Sequence, residues 1–223
     1  MEKIIIWGIG QISQVLTFYI QKYTQYKICA YALDKEYMGD KNEFNGIPII
    51  AFEEIEKHFS PNEYKMALIM GYKNLNRYRE EKYLQAKAKG YSFISYVSPH
   101  STCDADIGEN TFIFNDNDIQ PYTKIGNNVI IWANSGIGHH VIVEDNCFLA
   151  SPKISGASIV RKNSFLGSNC TIAHNVEIGA YSIIGAGTII TKNLKEGSVV
   201  VAKQTKIMPI KSFEVEGILE WNW

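Results

Sequence analysis

Between residues 124 and 143 the chain reads KIGNNVIIWANSGIGHHVIV, with isoleucine or valine at every sixth place: Ile125, Ile131, Ile137 and Val143. The same beat runs back through Ile119, Ile113 and Ile107 and forward to Leu149. It slips by one residue near Pro152, then resumes at Ile154, Val160, Leu166, Ile172, Ile178, Ile184 and Ile190. A helix repeats its buried face every 3.6 residues and a strand every 2, so neither gives this beat. A solenoid with three short faces per coil does, each hexapeptide supplying one face and one inward apolar side chain. Glycine follows the apolar place at Ile107-Gly108, Ile125-Gly126, Ile137-Gly138, Ile178-Gly179 and Ile184-Gly185, as tight coil corners require. The spacing predicts about five coils of roughly 18 residues.

Upstream the rhythm is different. Lys3 to Trp7 reads as a buried strand, Gly8-Ile9-Gly10 as a turn, and Gln11 to Lys22 as a helix with Ile12, Val15, Leu16, Tyr19 and Ile20 on one face. Strands follow at Lys27 to Leu33, near Ile47 to Ile50, at Lys65 to Met70 and at Tyr91 to Val97. Helices are expected over Glu53 to Phe59 and Asn76 to Lys89. Alternating strand and helix predicts a parallel α/β sheet. The expected division is an α/β unit over 1–100, a solenoid over 101–205 and a tail over 206–223. The boundary falls near residues 97 to 105, around the turn-rich SPHSTCDAD, and a short helix is expected within Phe213 to Trp223.

Net charge is −1, with acids and bases spread along the chain, which argues against a nucleic-acid-binding face. No apolar run approaches the roughly 20 residues of a membrane span, and MEKIIIWGIG lacks the pattern of a secretion signal. A cytoplasmic location is the expectation. Cys29, Cys103, Cys147 and Cys170 are too widely spaced for a zinc or redox motif and read as buried free thiols, with no metal site.

Among the polar residues, Gly8 and Gly10 form a GxG turn at a helix start, with Ser13 where the full dinucleotide fingerprint has its third glycine. Such a turn serves either as a phosphate cradle or simply as a tight corner. Asp34, ending the second strand, is either a ligand contact or a turn residue. His58 reads as a solvated residue ending a surface helix, His174 as an exposed residue of a repeat turn, and His100 falls at the junction between the halves.

A hexapeptide solenoid behind a small α/β domain resembles the NeuD/PglD-type sugar acyltransferases. The resemblance spans nearly the whole chain and rests on the WGIGQ turn, Asp34, MGYKNLNRYR, the solenoid repeat, SGIGHHVIVED and Ser155-Gly156. It implies a Rossmann-like domain followed by a trimeric left-handed parallel β-helix, with acetyl-CoA as co-substrate. Left-handed winding is part of that implication, since parallel crossovers are normally right-handed. The implied reaction is N-acetylation of a nucleotide-linked amino sugar in bacterial surface glycan synthesis, the alternative being O-acetylation of an acceptor such as sialic acid. A nicotinamide-dependent oxidoreductase and a non-catalytic scaffold are the readings from other classes.

The resemblance places the catalytic base at His139, where an imidazole is suited to take a proton near neutral pH. His140 stands where relatives have a carboxylate, so either it orients His139 or Glu144 or Asp145 does; alternatively it is buried between subunits. Phe148 stands where some relatives have a histidine at the acetyl carbonyl, which leaves the oxyanion to main-chain amides. Gly8, Gly10, Asp34, Lys35, Gly71, Tyr72 and Arg77 are implied around the nucleotide sugar. Asn134 and Trp132 are candidates for the acceptor side, Trp132 alternatively filling a subunit interface. Gly156 and Ala186 are implied along the pantetheine arm, and Lys203 and Lys206 at the CoA phosphates.

Overall fold

The computed structural model describes residues 1–207, 209 and 211; the helix expected within Phe213 to Trp223 lies outside the described residues. In the first half, strands β1 (Lys3–Trp7), β2 (Lys27–Leu33), β3 (Glu43–Phe44), β4 (Ile47–Ala51) and β5 (Tyr64–Leu68) form one sheet in the order β3-β4-β2-β1-β5. All neighbours are parallel except the β3–β4 hairpin, an antiparallel edge the sequence reading did not anticipate. Helix α1 (Gln11–Tyr23) buries Ser13, Leu16, Thr17 and Ile20, while α2 (Lys35–Met38) and α3 (Arg77–Ala88) complete the unit. Ile4, Ile5 and Ile6 are fully buried because β1 is an interior strand covered on both faces.

Two expectations for this half are corrected. The segment after β4 is a 3₁₀ turn, Phe52–Lys57, held by burial of Phe52 and Ile55 rather than an α-helix. The strand expected over Tyr91 to Val97 shrinks to Tyr96–Val97 and leaves the first sheet for the solenoid, pairing with Phe112–Ile113. Only Phe93 still bridges the first sheet, at Met66. The solenoid therefore starts before SPHSTCDAD, and that stretch is part of a coil.

From Tyr96 onward, two-residue strands stack into three parallel sheets, one per side of a three-sided coil, a repeat pattern that fits a left-handed β-helix. Face 1 runs from Tyr96–Val97 to Val199–Val200, face 2 from Thr102–Cys103 to Ile189–Ile190 and face 3 from Asp106–Ile107 to Glu177–Ile178. The second residue of nearly every strand is the apolar hexad residue. Ile113, Ile119, Ile131, Leu149, Val160, Leu166, Ile172, Ile178 and Ile184 are all fully buried in one axial column. Each such side chain contributes about 1.5–3 kcal/mol by leaving water.

The corners between faces turn through left-handed backbone at non-glycine residues. These are Asp116, Asn134, Ser151 and Asn169 on the first edge (face 1 to 2) and Tyr122, His140, Ala157 and Asn175 on the second (face 2 to 3). Asn110, Asn128, Asn146, Asn163 and Tyr181 take the third edge (face 3 to 1). Asparagine tolerates this region better than other L-residues, which explains its recurrence. The one-residue slip sits at Ala150-Ser151-Pro152, a first-edge corner shortened by one. The pairing of Ile137 with Ile154 absorbs it, so the axial column stays in register.

The two halves are welded. Face 1 presents Phe112, Phe114, Ile130 and Phe148 outward into a core shared with Ile4, Leu16, Ile20 and Ile69. Along the third edge, asparagine side chains bond in a ladder: Asn110 donates to Asn128 at 2.8 Å, Asn128 to Asn146 at 2.8 Å and Asn146 to Asn163 at 3.4 Å. The ladder is closed by the Leu68 main chain at one end and Glu80 at the other. Arg79, fully buried, donates to the carbonyls of Asn128, Asn146 and Cys147 and to the Asn76 side chain. Burial pulls its guanidinium pKa down to about 10, so it stays charged at neutral pH.

Candidate active site

Registry aligns Pro121, His139, Gly156 and His174 along the second edge, the edge opposite face 1 and so opposite the α/β half. His139 and His140 are both exposed. The His139 amide donates to Gln120 Oε1 at 3.0 Å, and its carbonyl accepts from Ala157 at 2.9 Å. Its imidazole lies flat over Gly156. A Cβ on Gly156 would sit 2.8 Å from His139 Cε1 and 2.9 Å from Nε2, so the ring's seat exists only because residue 156 has no side chain. The Nδ1 atoms of His139 and His140 are 3.0 Å apart.

A cleft of about 290 Å³ opens beside the ring, lined by Asp118, Gln120, Gly136, His139, Lys153 and Ser155 among others. Lys153 crosses Gly136 and donates to the Asn134 carbonyl at 3.1 Å. Asn134 itself sits on the first edge and borders the cleft only through that lysine.

A family model, the GMPPB C-terminal domain, matches residues 107–218, half of the chain. The chain belongs to the GMPPB C-terminal domain family. Among curated relatives, serine acetyltransferase from Buchnera aphidicola is 26% identical over 189 residues, covering 78% of this chain and 65% of the relative. The chain thus spans just under two thirds of that relative's length. Among solved structures, the acetyltransferase domain of PglB from Neisseria gonorrhoeae in complex with acetyl coenzyme A superposes with a TM-score of 0.77. It is 19% identical, with 90% of this chain and 96% of that one covered. A mutant of perosamine N-acetyltransferase from Caulobacter crescentus in complex with CoA and GDP-perosamine gives 0.79 at 19% identity, over 91% and 94%. These relatives and neighbours are acyltransferases.

In this member of the GMPPB C-terminal domain family, a second cavity of about 480 Å³ lies at the carboxyl ends of β1, β2 and β5, where open parallel sheets hold ligands. It is lined by Gly8, Gly10, Asp34, Gly71, Lys41 and Lys73 among others. Gly8 adopts φ +115°, and a Cβ there would meet Ser13 Oγ at 2.7 Å. Ser13, in the place of the third fingerprint glycine, donates to the Ile69 carbonyl at 3.2 Å. Gly10 precedes α1 with open space above it, and the first turn carries no acid and no side-chain cap. The turn thus offers main-chain donors to the cavity.

The remaining candidates are spread over several parts of the fold. Asp34 lines the cavity, but its Oδ2 is held by Tyr78 OH at 2.7 Å and Lys82 Nζ at 2.9 Å, within a buried ion pair. The Asp34 carboxylate also helps push the Tyr78 hydroxyl pKa well up, after burial as the larger cause. Lys35, Tyr72 and Arg77 lie outside this cavity: Lys35 borders a neighbouring one, Tyr72 packs on Phe148 and Phe165, and Arg77 covers the Tyr181 ring. Trp132 and Phe148 belong to the core between the halves, Trp132 against Phe114, and neither reaches His139.

Neither Glu144 nor Asp145 bonds the His139 imidazole. Glu144 pairs with Arg161 at 2.7 Å and accepts from the Lys162 amide, while Asp145 accepts from the Asn127 amide. Both lie toward the third edge, one hexapeptide away. His140 is exposed and turned toward His139, because a left-handed corner does not alternate its side chains as a strand does. Gly156 is buried beneath His139 on the second edge, whereas Ala186 is exposed on the first, so one chain does not bring them together. Lys203 and Lys206 are exposed beyond the last strand. His58 and His174 are exposed as expected; His100 is exposed but bonded to Tyr23 OH at 3.1 Å. Cys147 and Cys170 are buried, Cys29 and Cys103 only half so. No helix among the described residues is long and apolar enough to cross a membrane, and none of their acidic, histidine or cysteine groups forms a metal cluster.

Sequence reasoning missed Arg79 and Asn76, which lie inside the quoted MGYKNLNRYR segment. Their signal was available: asparagines 18 residues apart at 110, 128 and 146 mark an inter-coil ladder that needs a partner at its flank.

Proposed function

We propose that this chain transfers an acetyl group from acetyl-CoA to the amino group of a nucleotide-linked sugar, with His139 as general base. One observation carries the reading: an exposed imidazole seated on Gly156 at the mouth of a cleft, in a chain whose relatives and neighbours are acyltransferases. The neutral acceptor amine attacks the thioester carbonyl while His139 Nε2 takes its proton. The oxyanion is held by main-chain amides, and the intermediate collapses by expelling the CoA thiolate, which recovers the proton from His139.

In this reading the α/β half is a Rossmann-like domain that holds the nucleotide, its diphosphate at the Gly8–Gly10 turn with Lys41 and Lys73 beside it. Asp34 acts indirectly, holding Tyr78 and Lys82 at the cavity wall. The β-helix is left-handed and trimeric. The α/β half covers face 1 except at its last strand, where Val199 is 65% exposed, and Ile142 and Ile189 are exposed at 39% and 72% on faces 3 and 2, which leaves apolar surface open to other copies there. Residues of late coils, Ala186 among them, would then meet the donor from a neighbouring copy, with Lys203 and Lys206 near its phosphates. The role proposed in the cell is cytoplasmic synthesis of a bacterial surface glycan.

The test is thiol release from acetyl-CoA with wild type and His139→Ala, against nucleotide-linked amino sugars and free sialic acid. Turnover with an amino sugar, lost in the variant while CoA still binds, supports N-acetyl transfer. Turnover only with the hydroxyl acceptor moves the assignment to O-acetylation. No turnover and no CoA binding removes the enzyme reading.

A further inference from the structure

We infer that His140 and Tyr122 are positioning residues that hold His139 with its proton on Nδ1 and the Nε2 lone pair open to the cleft; this rests on the acyl-transfer reading above. A nitrogen–nitrogen contact of 3.0 Å between two imidazoles needs one donor and one acceptor. If His139 donates, its Nε2 is bare and able to take a proton. If His140 donates, His139 carries its proton on Nε2 and has no lone pair there to offer. The same two atoms therefore decide whether the base exists.

His140 is built to be held rather than to move. Its backbone occupies the left-handed corner at φ 58°, its amide points at the Pro121 carbonyl at 3.4 Å, and its ring packs tilted against Tyr122, with centroids 4.8 Å apart and 34° between the planes. Tyr122 fills the equivalent corner one coil earlier, at φ 66°, 74% exposed. An aromatic that exposed, at a left-handed corner that asparagine tolerates better, has the His140 ring as its contact. The His139 ring then meets His140 edge-on, 5.2 Å between centroids. Among the described residues no other side chain bonds the His139 imidazole, and the charged groups facing it across the cleft are Asp118 and Lys153.

An imidazole partner differs from a carboxylate in one respect. It fixes the tautomer without adding negative charge, so the imidazolium formed when His139 takes the acceptor's proton gains a stronger hydrogen bond but no ion pair. The thiolate recovers that proton more readily than it would from a carboxylate-paired histidine.

The experiment uses the full chain labelled with ¹⁵N-histidine and reads long-range nitrogen–proton couplings at mildly alkaline pH, beside acetyl-CoA turnover. The expected spectrum has His139 protonated on Nδ1 and bare on Nε2, and His140 the reverse; His139 protonated on Nε2 overturns the proposal. H140F is expected to lose the His139 tautomer preference and to lower kcat by roughly ten- to a hundredfold, within the 10²–10⁴ that a general base supplies. KM for acetyl-CoA should change less than about twofold. H140N, with a carbonyl acceptor on the residue favoured at these corners, is expected to restore most of kcat. Y122S should weaken the preference and Y122F retain it. H140E is expected to move the acid limb of kcat/KM to higher pH, and an unmoved limb counts against the pair. Unchanged turnover in H140F overturns the proposal and leaves acyl transfer standing. No turnover in wild type overturns acyl transfer, while the spectrum still decides the tautomer.

Discussion

The guanidinium of Arg79, on the third residue of α3, reaches the main-chain carbonyl of Asn146 at 2.8 Å, across the boundary between the two halves. The same nitrogen also serves Asn128 and Cys147. A fully buried cation whose terminal nitrogens bond carbonyls of successive coils, its Nε left without a partner, reads the spacing of those coils. Arg79→Met removes the donor and leaves the Asn128 and Asn146 carbonyls dry, at about 1–3 kcal/mol each, while the Cys147 carbonyl keeps the Ile130 amide at 3.1 Å. Urea unfolding should show a loss of about 3 kcal/mol or more, and Arg79→Lys, which cannot fork, should recover less than half. Loss under about 1 kcal/mol in the methionine variant contradicts the weld.

Gly8 and Ser13 make a coupled pair. Gly8→Ala places a Cβ 2.7 Å from Ser13 Oγ at φ +115°, so it suffers both a clash and backbone strain. Ser13→Gly removes the clash and the bond to Ile69. The double variant should therefore be more stable than the sum of the two singles, with a coupling of about 0.5–3 kcal/mol in thermal or urea unfolding. Strict additivity would mean that the turn relaxes freely.

Gly156→Ala tests the seat of His139. The added methyl overlaps the imidazole, and a displacement of about 1 Å is of the order that costs a hundredfold in rate. Turnover should fall by about that factor, with a stability change below about 1 kcal/mol because the ring is exposed and free to move away. Full activity in this variant would show that the base does not work from this position.

Burial pushes the thiols of Cys147 and Cys170 up to about 12. A folded-state pKa above the unfolded value means that the native protein keeps protons the unfolded chain gives up. The stability involved is whole below about pH 9 and is lost as pH rises toward 12. The melting temperature should fall across that window, and Cys147→Ala should shallow the fall. Alkylation of native protein at pH 8 should spare both residues, while Cys29 is the first to react. Equal labelling of Cys147 would place it outside the core.

The solenoid was legible because one physical demand, a single inward apolar side chain per face, repeats without interruption from Ile107 to Ile190. Even the missing residue at Ala150-Ser151-Pro152 showed as a phase slip. The α/β strands were legible where apolar runs are long, as in Lys27–Leu33, which was read to the residue. Tyr91 to Val97 was misread because an apolar run says how deeply a segment is buried and not which sheet it joins. His139 stood out by motif, but its seat on Gly156 depends on a neighbour one coil away. The placing of Trp132 and Phe148 in the core between halves, with the exposed Tyr72 packed against Phe148, depends on which face of the coil the first half covers. That is a tertiary choice with no periodic trace.

The left-handed corners bear on the unfolded chain as much as on the folded one. Glycine would relieve native strain at every corner, but it would also widen the denatured ensemble, and the two effects are each of order 1 kcal/mol. Exchanging asparagine for glycine at the exposed corners Asn169 and Asn175 should then be nearly neutral in equilibrium unfolding. At Asn128 the same exchange also cuts the ladder on both sides. The corner asparagines thus fall into two populations, one free to drift between residues and one fixed by its neighbours above and below.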